Sequence, residues 1–335
     1  MNIIVQKYGG TSVESKEKME KICENIISYK LKNSKLVVVV SAQGKTTDEL
    51  LKKAGDYTTI QSKRELDLLL STGEIQSASL LSMMLNEKGF ESVALTGQQA
   101  GILSDSTYGS ANIKDIYKEN IMKYLNNDVI VVVAGFQASD KLGNITTLGR
   151  GGSDLSAVAI ACALKAKKCE IYSDIDGIYS ADPRIITKAK LLKNISYDEM
   201  LEAATAGAKV LHNRSVNIGK KNNVPITVKN SQKDTVGSTV KEMLKDDILV
   251  QSNKPNDFED FSVKFITKKD DISKICIVGD MVMSNKEVVI KIFNVASKEN
   301  TQIYMISFNE MAINIIVDKD KSISFMKALH KELIE

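Results

Sequence analysis

The sequence predicts an α/β protein in two parts: a mainly parallel sheet covered by helices, then a small α+β unit of ferredoxin-like order. Three observations carry that prediction. The runs KLVVVVS (35–41) and DVIVVVAGF (128–136) have no polar face, and strands apolar on both sides belong to parallel sheets with helices above and below. Apolar residues at helical spacing alternate with strand-like runs as far as residue 230. Beyond a polar stretch containing Pro255, short strands, an apparent hairpin and two more helical patterns follow. A chain of 335 residues is also longer than one core usually organises. The predicted division is 1–232 for the large domain, 233–258 for a connector and 259–335 for the small domain.

Each element follows from its pattern. IIVQKY (3–8) reads as a strand, and Met19, Ile22, Cys23, Ile26 and Ile27 recur at helical spacing. The second strand, KLVVVVS, ends in the turn-prone SAQGKTTD. Leu66, Leu69 and Leu70 predict the next helix, with STGE (71–74) following it. SVALTG (92–97) and DVIVVVAGF are strands. A helix is expected from Asp154 through Leu164, then strand and turn in CEIYSDIDG (169–177), and VPITVKN (224–230) closes the series. In the tail, FSVKF (261–265) and ICIVG (275–279) are strand-like, and Val288, Val289, Ile292, Phe293 and Ala296 suit a helix. IYMIS (303–307) and AINIIVD (312–318) form a hairpin, and Ile323, Met326, Leu329 and Leu333 give a final helix. The order βαββα is that of a ferredoxin-like unit.

Composition narrows the function. With 45 basic and 42 acidic residues in mixed-sign runs, the net charge of +3 points to no nucleic-acid or membrane partner. Trp is absent and aromatics are scarce, so stacking platforms for bases are not expected. Cys23, Cys162, Cys169 and Cys276 include no CxxC pair and read as reduced, buried thiols. His212 and His330 are too few for a histidine-rich metal site, and no protein metal site is expected. MNIIVQKYGG runs straight into a strand with no signal peptide, and no apolar run reaches membrane-spanning length. A cytoplasmic location is expected.

Ligands of parallel sheets bind beyond the carboxyl ends of the strands, and there this sequence repeatedly places polar, glycine-containing turns: KYGGTS, VVSAQGKTT, ALTGQQ, AGFQA and YSDIDG. KYGGTS (7–12) brings Lys7 to a Gly9–Gly10 turn that could cradle an anion; by itself it also reads as a plain strand–helix turn capped by Thr11 or Ser12. TTLGRGGSDLS (146–156) is more telling. Its glycines free backbone donors, Arg150 offers a fork suited to a carboxylate, and Asp154 stands at a helix start where it can cap or organise cations. YSDIDGIYSADPR (172–184) could frame a nucleotide or be a solvated loop, and Lys209 in GAKVLHNRS (207–215) is a functional cation or a snorkelling lysine.

Taken together, KYGGTSV, VVVVSAQGKTTDEL, STGE, TTLGRGGSDLSA, SDIDGIYSADPR and GAKVLHNRSV resemble the aspartate kinases of the amino acid kinase superfamily, in the family's order over residues 7–216. ISKICIVGDM, IYMISFNEMAINIIVD and ALHKEL are similar to the family's second ACT regulatory domain. The resemblance implies the family's three-layer fold, with a mainly parallel central sheet and a C-terminal ACT unit. It implies transfer of a phosphoryl group from ATP, with Mg²⁺, to the side chain of L-aspartate, the entry to lysine, threonine and methionine synthesis. By the same resemblance Lys7, Gly9 and Gly10 contact the transferring phosphates, with Lys209 near them and Asp154 in the catalytic group. Ser41, Thr47, Glu74 and Arg150 bind aspartate, Glu74 at the ammonium and Arg150 at the α-carboxylate. Ser173, Asp174, Tyr179 and Arg184 hold ATP.

Two departures stand out. Asn213 takes a position where the family usually has proline, and the tail has room for little more than one ACT domain where two are usual. EDFSVKFITKKDDISKICIVG reads as the end of a first ACT domain running directly into the second. A homodimer joined through the ACT-like region is expected. Two rival readings are a kinase for another small amino-acid carboxylate and a non-catalytic amino-acid sensor. Glu74 with Arg150 favours a zwitterionic acceptor, and retention of Lys7, Asp174 and Lys209 opposes a sensor.

Overall fold

The computed structural model describes residues 2–60, 62–205, 207–208, 210–243, 266–279, 286–309 and 312–334. They fall into two compact units, Met1–Thr267 and Lys268–Glu335. The first begins β1 (Ile3–Tyr8), α1 (Lys16–Lys30), β2 (Lys35–Val40), α2 (Thr46–Tyr57), α3 (Lys63–Glu87) and β3 (Ser92–Leu95). It continues β4 (Ile102–Ser104), β5 (Ile113–Ile116), α4 (Glu119–Asn126), β6 (Ile130–Ala134), β7 (Gln137–Ser139), β8 (Ile145–Thr147) and α5 (Gly152–Ala163). It ends with β9 (Lys168–Ser173), β10 (Asn194–Ser196), α6 (Tyr197–Thr205), α7 (Asn213–Asn222), β11 (Ile226–Asn230) and β12 (Ser238–Lys241).

The main sheet has the order β10-β12-β11-β9-β1-β2-β6-β3. Its pairings are parallel except β11 with β12. The all-apolar runs occupy its middle, as expected of strands buried on both faces. Side chains alternate between two cores. Val37, Val39, Val131 and Val133 pack with Leu155 and Ile160 of α5. Leu36, Val38, Val40 and Val132 pack with Met19, Ile22 and Ile26 of α1 and Leu81 and Leu85 of α3. A side sheet of order β5-β4-β7-β8 joins this unit.

Four features differ from the sequence reading. Gly10–Ser12 form a single 3-10 turn, and α1 starts only at Lys16, where Ser15 accepts the Lys18 N–H. STGE does not follow a helix but lies inside α3, because its apolar neighbours continue the same buried face past the polar motif. Residues 238–241, expected in the connector, form β12 against β11. Cys276 is exposed, while Cys23 and Cys169 are buried. Helix α3 is also long and apolar enough, by length and composition, to cross a membrane. Its buried residues include Asp67, Ser71, Glu74, Ser77 and Ser82, and it packs along β3, β6 and β8, which makes it a core helix.

The second unit runs β13 (Ile272–Val278), α8 (Lys286–Lys298), β14 (Ile303–Asn309), β15 (Ala312–Asp318) and α9 (Ser322–Leu333). Its antiparallel sheet has the order β13-β15-β14. Ile275, Ile313, Ile315 and Val317 close a core with Ile292, Val295, Phe325 and Leu329. The βαββα order is as read from the sequence; FSVKF lies outside the described residues.

Candidate active site

A cavity of about 290 Å³ opens where β1, β2 and β6 end, lined by Lys7, Gly10, Ser41, Ala42, Gly44, Thr47, Glu74, Phe136 and residues 149–154. Strand parity delivers two of these. Lys7 shares the face of Ile3 and Val5, so its side chain emerges on the α5 side at the end of β1. There its Nζ meets Asp154 Oδ1 at 2.7 Å. Ser41 continues the Val37–Val39 face one step beyond β2.

Glu74 reaches the cavity from the middle of α3. Gly73 makes this possible: a Cβ there would stand 2.8 Å from the Ala42 Cβ, so only glycine lets the helix approach this loop. Glu74 Oε1 accepts the Ala42 N–H at 3.1 Å. Its Oε2 is buried with no hydrogen-bond partner. Burial pushes the Glu74 carboxyl up to about 7, against the lowering effect of the Ala42 N–H and its own backbone N–H.

The glycine-rich loop also lines the cavity. Gly149 and Gly151 flank Arg150 with φ of +73° and +70°. At Gly151 a side chain would also collide with the His212 Cβ at 2.8 Å. Arg150 is exposed and makes no hydrogen bond or ion pair among the described residues. Asp154 sits in the first turn of α5. Thr47 is in the first turn of α2, half-buried at the cavity. The cavity lining thus brings together two cationic side chains, Lys7 and Arg150, and the buried carboxyl of Glu74.

Gly9, Ser173, Asp174, Tyr179 and Arg184 do not line this cavity. Gly9 spends its N–H on Tyr172 O at 3.2 Å. Because β9 lies next to β1, Ser173 and Asp174 follow its carboxyl end on the neighbouring side of the Gly9 turn. Ser173 Oγ accepts the Ile175 N–H, and Asp174 is exposed. Tyr179 bridges to Leu191. Arg184 points into solvent and is held by Asp182 at 2.8 Å. Lys209 lies outside the described residues.

Sequence reading missed several contributors. Phe136 lines the cavity in a left-handed conformation, φ +66°, that bulky side chains rarely adopt. Ser156 Oγ accepts its N–H, and Leu148 donates to its carbonyl. Asn230, at the end of β11, donates to Asp176 Oδ1 at 2.7 Å and to Asp174 O. Asp67 and Arg214 grip the strand that leads into the glycine-rich loop. Phe136, Arg214 and Asn230 fall inside motifs quoted above without being singled out, and Asp67 shows only as a polar residue two helical turns before Glu74 on the same face. Asn213 is the first residue of α7, a position where proline is also accepted because its N–H has no helical partner.

Residues 2–230 match the model of the amino acid kinase family, and residues 275–333 match an ACT domain. An aspartokinase of Bacillus sp. (strain MGA3) is 38% identical over 400 aligned positions, covering 99% of this chain and 97% of the relative. Since those 400 positions exceed the 335 residues here, the relative holds internal residues that this chain lacks. Aspartokinase 2 of Bacillus subtilis (strain 168) is 37% identical over 98% of this chain and 97% of its own. Among solved structures, the aspartate kinase from Synechocystis is 34% identical with a TM-score of 0.64, over 97% of this chain and 54% of that one. Aspartokinase III of E. coli, in complex with aspartate and ADP, has the same fold, with a TM-score of 0.78 at 22% identity over 99% of this chain and 84% of that one. With the kinase model matched over most of its residues, and relatives at 37–38% identity matched along nearly all of it, the chain belongs to the amino acid kinase family and, within it, to the aspartokinases.

Proposed function

We propose that the chain transfers the terminal phosphoryl group of ATP to the side-chain carboxylate of L-aspartate, giving ADP and 4-phospho-L-aspartate, the first step towards lysine, threonine and methionine. One observation carries this reading: a single cavity is lined by Glu74, with a buried carboxylate oxygen that has no hydrogen-bond partner, and by Arg150, which makes no hydrogen bond or ion pair among the described residues. A free amino acid presents the complementary ammonium and carboxylate. Glu74 takes the ammonium, Arg150 the α-carboxylate through two parallel hydrogen bonds, and Ser41 and Thr47 supply hydroxyls.

The remaining carboxylate of the substrate is the nucleophile, and it is already ionised near neutral pH, so no general base is needed. Phosphoryl transfer then demands alignment and neutralisation of charge. Lys7 supplies a fixed positive charge, Asp154 aims it, and Gly9 and Gly10 let backbone approach the phosphates. Lys209 adds a second charge there. Ser173, Asp174, Tyr179 and Arg184 hold the nucleotide at the end of β9. Among the described residues no three carboxylate, histidine or cysteine side chains converge on a cation. A Mg²⁺ arriving with ATP would screen the negative charge of the phosphates.

The test is ADP release with aspartate, with glutamate and with no acceptor. Release that requires aspartate is expected. Equal release with glutamate would favour a kinase for another carboxylate, and none with either would favour a sensor. Arg150→Lys keeps the charge but not the fork, and the KM for aspartate should rise on the order of tenfold, equivalent to about 1.4 kcal/mol. Full activity in that variant would make Arg150 a bystander.

The small unit supports a homodimer. Its edge strands β13 and β14 pair only with β15 among the described residues, and Val278, Met305 and Phe308 are exposed. Open edges and apolar surface favour association with a second copy. With room for little more than one ACT domain, an effector pocket shared between paired domains would lose part of its lining and leave effector polar groups unpaired. Inhibition by lysine and threonine, singly or together at subsaturating aspartate, is expected to be weak or absent. Strong inhibition at micromolar effector would show that a complete site still assembles, and native mass in solution tests the dimer.

A further inference from the structure

Two oppositely charged side chains from different helices grip the backbone that leads into the glycine-rich loop. From α3, buried Asp67 accepts the Thr147 N–H at 2.7 Å, the Thr147 hydroxyl at 2.8 Å and the Gly109 N–H at 3.0 Å. From the first turn of α7, Arg214 donates Nη1 to Leu148 O and Nη2 to Ala111 O, both at 2.7 Å. The two gripped segments are themselves joined by Ala111 N–H to Thr147 O at 2.8 Å. Residues 147–148 are thereby fixed by a carboxylate on one side and a guanidinium on the other.

Arg150 is two residues further on. It has no side-chain partner of its own among the described residues, and its two flanking glycines are left-handed. Such a loop has high conformational entropy, so the direction of Arg150 depends on where the clamp delivers the chain. The clamp also ties the helix that carries Glu74 to the strand that leads to Arg150. Asp67 and Glu74 lie two turns apart on the buried face of α3, so the carboxylate that fixes the loop rides on the same rigid helix as Glu74.

We propose that Asp67 and Arg214 are positioning residues for the amino-acid acceptor: they set the separation between Glu74 and Arg150 and act on aspartate affinity through Arg150 without touching the substrate. This rests on the acceptor role assigned to Arg150 above. Arg214 spends its planar fork on two backbone carbonyls, and among the described residues its guanidinium makes one other hydrogen bond, at 3.4 Å to Asn112. A loss of alignment on the order of 1 Å is enough for a ten- to hundredfold effect on a bound reactant.

The experiment is a double-mutant cycle between Arg214→Lys and Arg150→Ala, reading KM for aspartate, KM for ATP and kcat. Arg214→Lys alone should raise the aspartate KM roughly tenfold and change the ATP KM and kcat by less than about twofold. In the Arg150→Ala background it should add nothing further. Guanidinium ion added to Arg214→Ala should restore part of the aspartate affinity, which tests the same idea in a variant whose fold is checked by thermal unfolding. A rise that persists undiminished in the Arg150→Ala background, an equal rise in ATP KM, or no rise at all overturns the proposal. If Arg150→Ala alone leaves the aspartate KM unchanged, the acceptor reading of Arg150 fails first, and the positioning role fails with it.

Discussion

Lys7→Ala should lower kcat at least a hundredfold while leaving the KM for aspartate within a few-fold. Lys7 stands at the end of β1 with its ammonium 2.7 Å from Asp154, and both side chains are largely shielded from water. In that setting the charge acts most strongly on negative charge that gathers as the phosphoryl group moves. An interaction made mainly in the transition state contributes about 3–4 kcal/mol, and its removal appears in kcat rather than in ground-state binding. The truncation has a second consequence. It leaves the Asp154 carboxylate uncompensated beside the incoming phosphates, adding repulsion to the lost attraction. Adding Asp154→Asn to Lys7→Ala removes that repulsion, so the double variant should be less impaired than the product of the single effects. Steady-state kinetics with saturating ATP measures both. A normal kcat in Lys7→Ala would remove Lys7 from the mechanism.

Glu74→Gln should weaken aspartate binding and at the same time stabilise the protein above neutral pH. Its carboxyl is pushed up to about 7 by burial in the cavity wall, with the Ala42 N–H only partly offsetting it. The folded state therefore binds this proton more tightly than the unfolded chain does. The favourable contribution is complete below the unfolded pKa and is lost as pH rises from about 4.5 to about 7. At pH 8 the ionised, unliganded Glu74 costs about 3 kcal/mol. Glutamine cannot ionise, so the variant should melt higher at pH 8, with the gain fading towards pH 5. Function runs the other way. Only the carboxylate pairs with an ammonium, so kcat/KM for aspartate in the native enzyme should fall about tenfold per pH unit below pH 7. In Glu74→Gln that limb should flatten at a lower plateau, while ATP binding stays nearly intact. Equal losses of ATP and aspartate affinity would contradict the assignment. A melting temperature that does not rise at pH 8 would show that Glu74 is not desolvated.

The sequence alone determined the sheet and the neighbourhood of the site. Val37 to Val40 and Val131 to Val133 can be buried on both faces only inside a parallel sheet, and such a sheet places ligands where its strands end. Lys7, Ser41, Thr47, Glu74 and Arg150 all lie in the polar motifs that stand out from their apolar surroundings, and they line one cavity. The βαββα order of the tail was legible for the same reason: its patterns are local. Tertiary structure alone decided what depends on distant partners. Glu74 reaches the cavity because Gly73 lets α3 touch the Ala42 loop, a contact that no periodicity encodes. Asp67 and Arg214 reach across 80 and 66 positions to adjoining residues; each alone reads as one more charged side chain. Strands of three residues such as β7 and β8 are too short to show a period of two. Which residues meet across the cavity is set by packing between elements, and side-chain patterns report only how each element is buried.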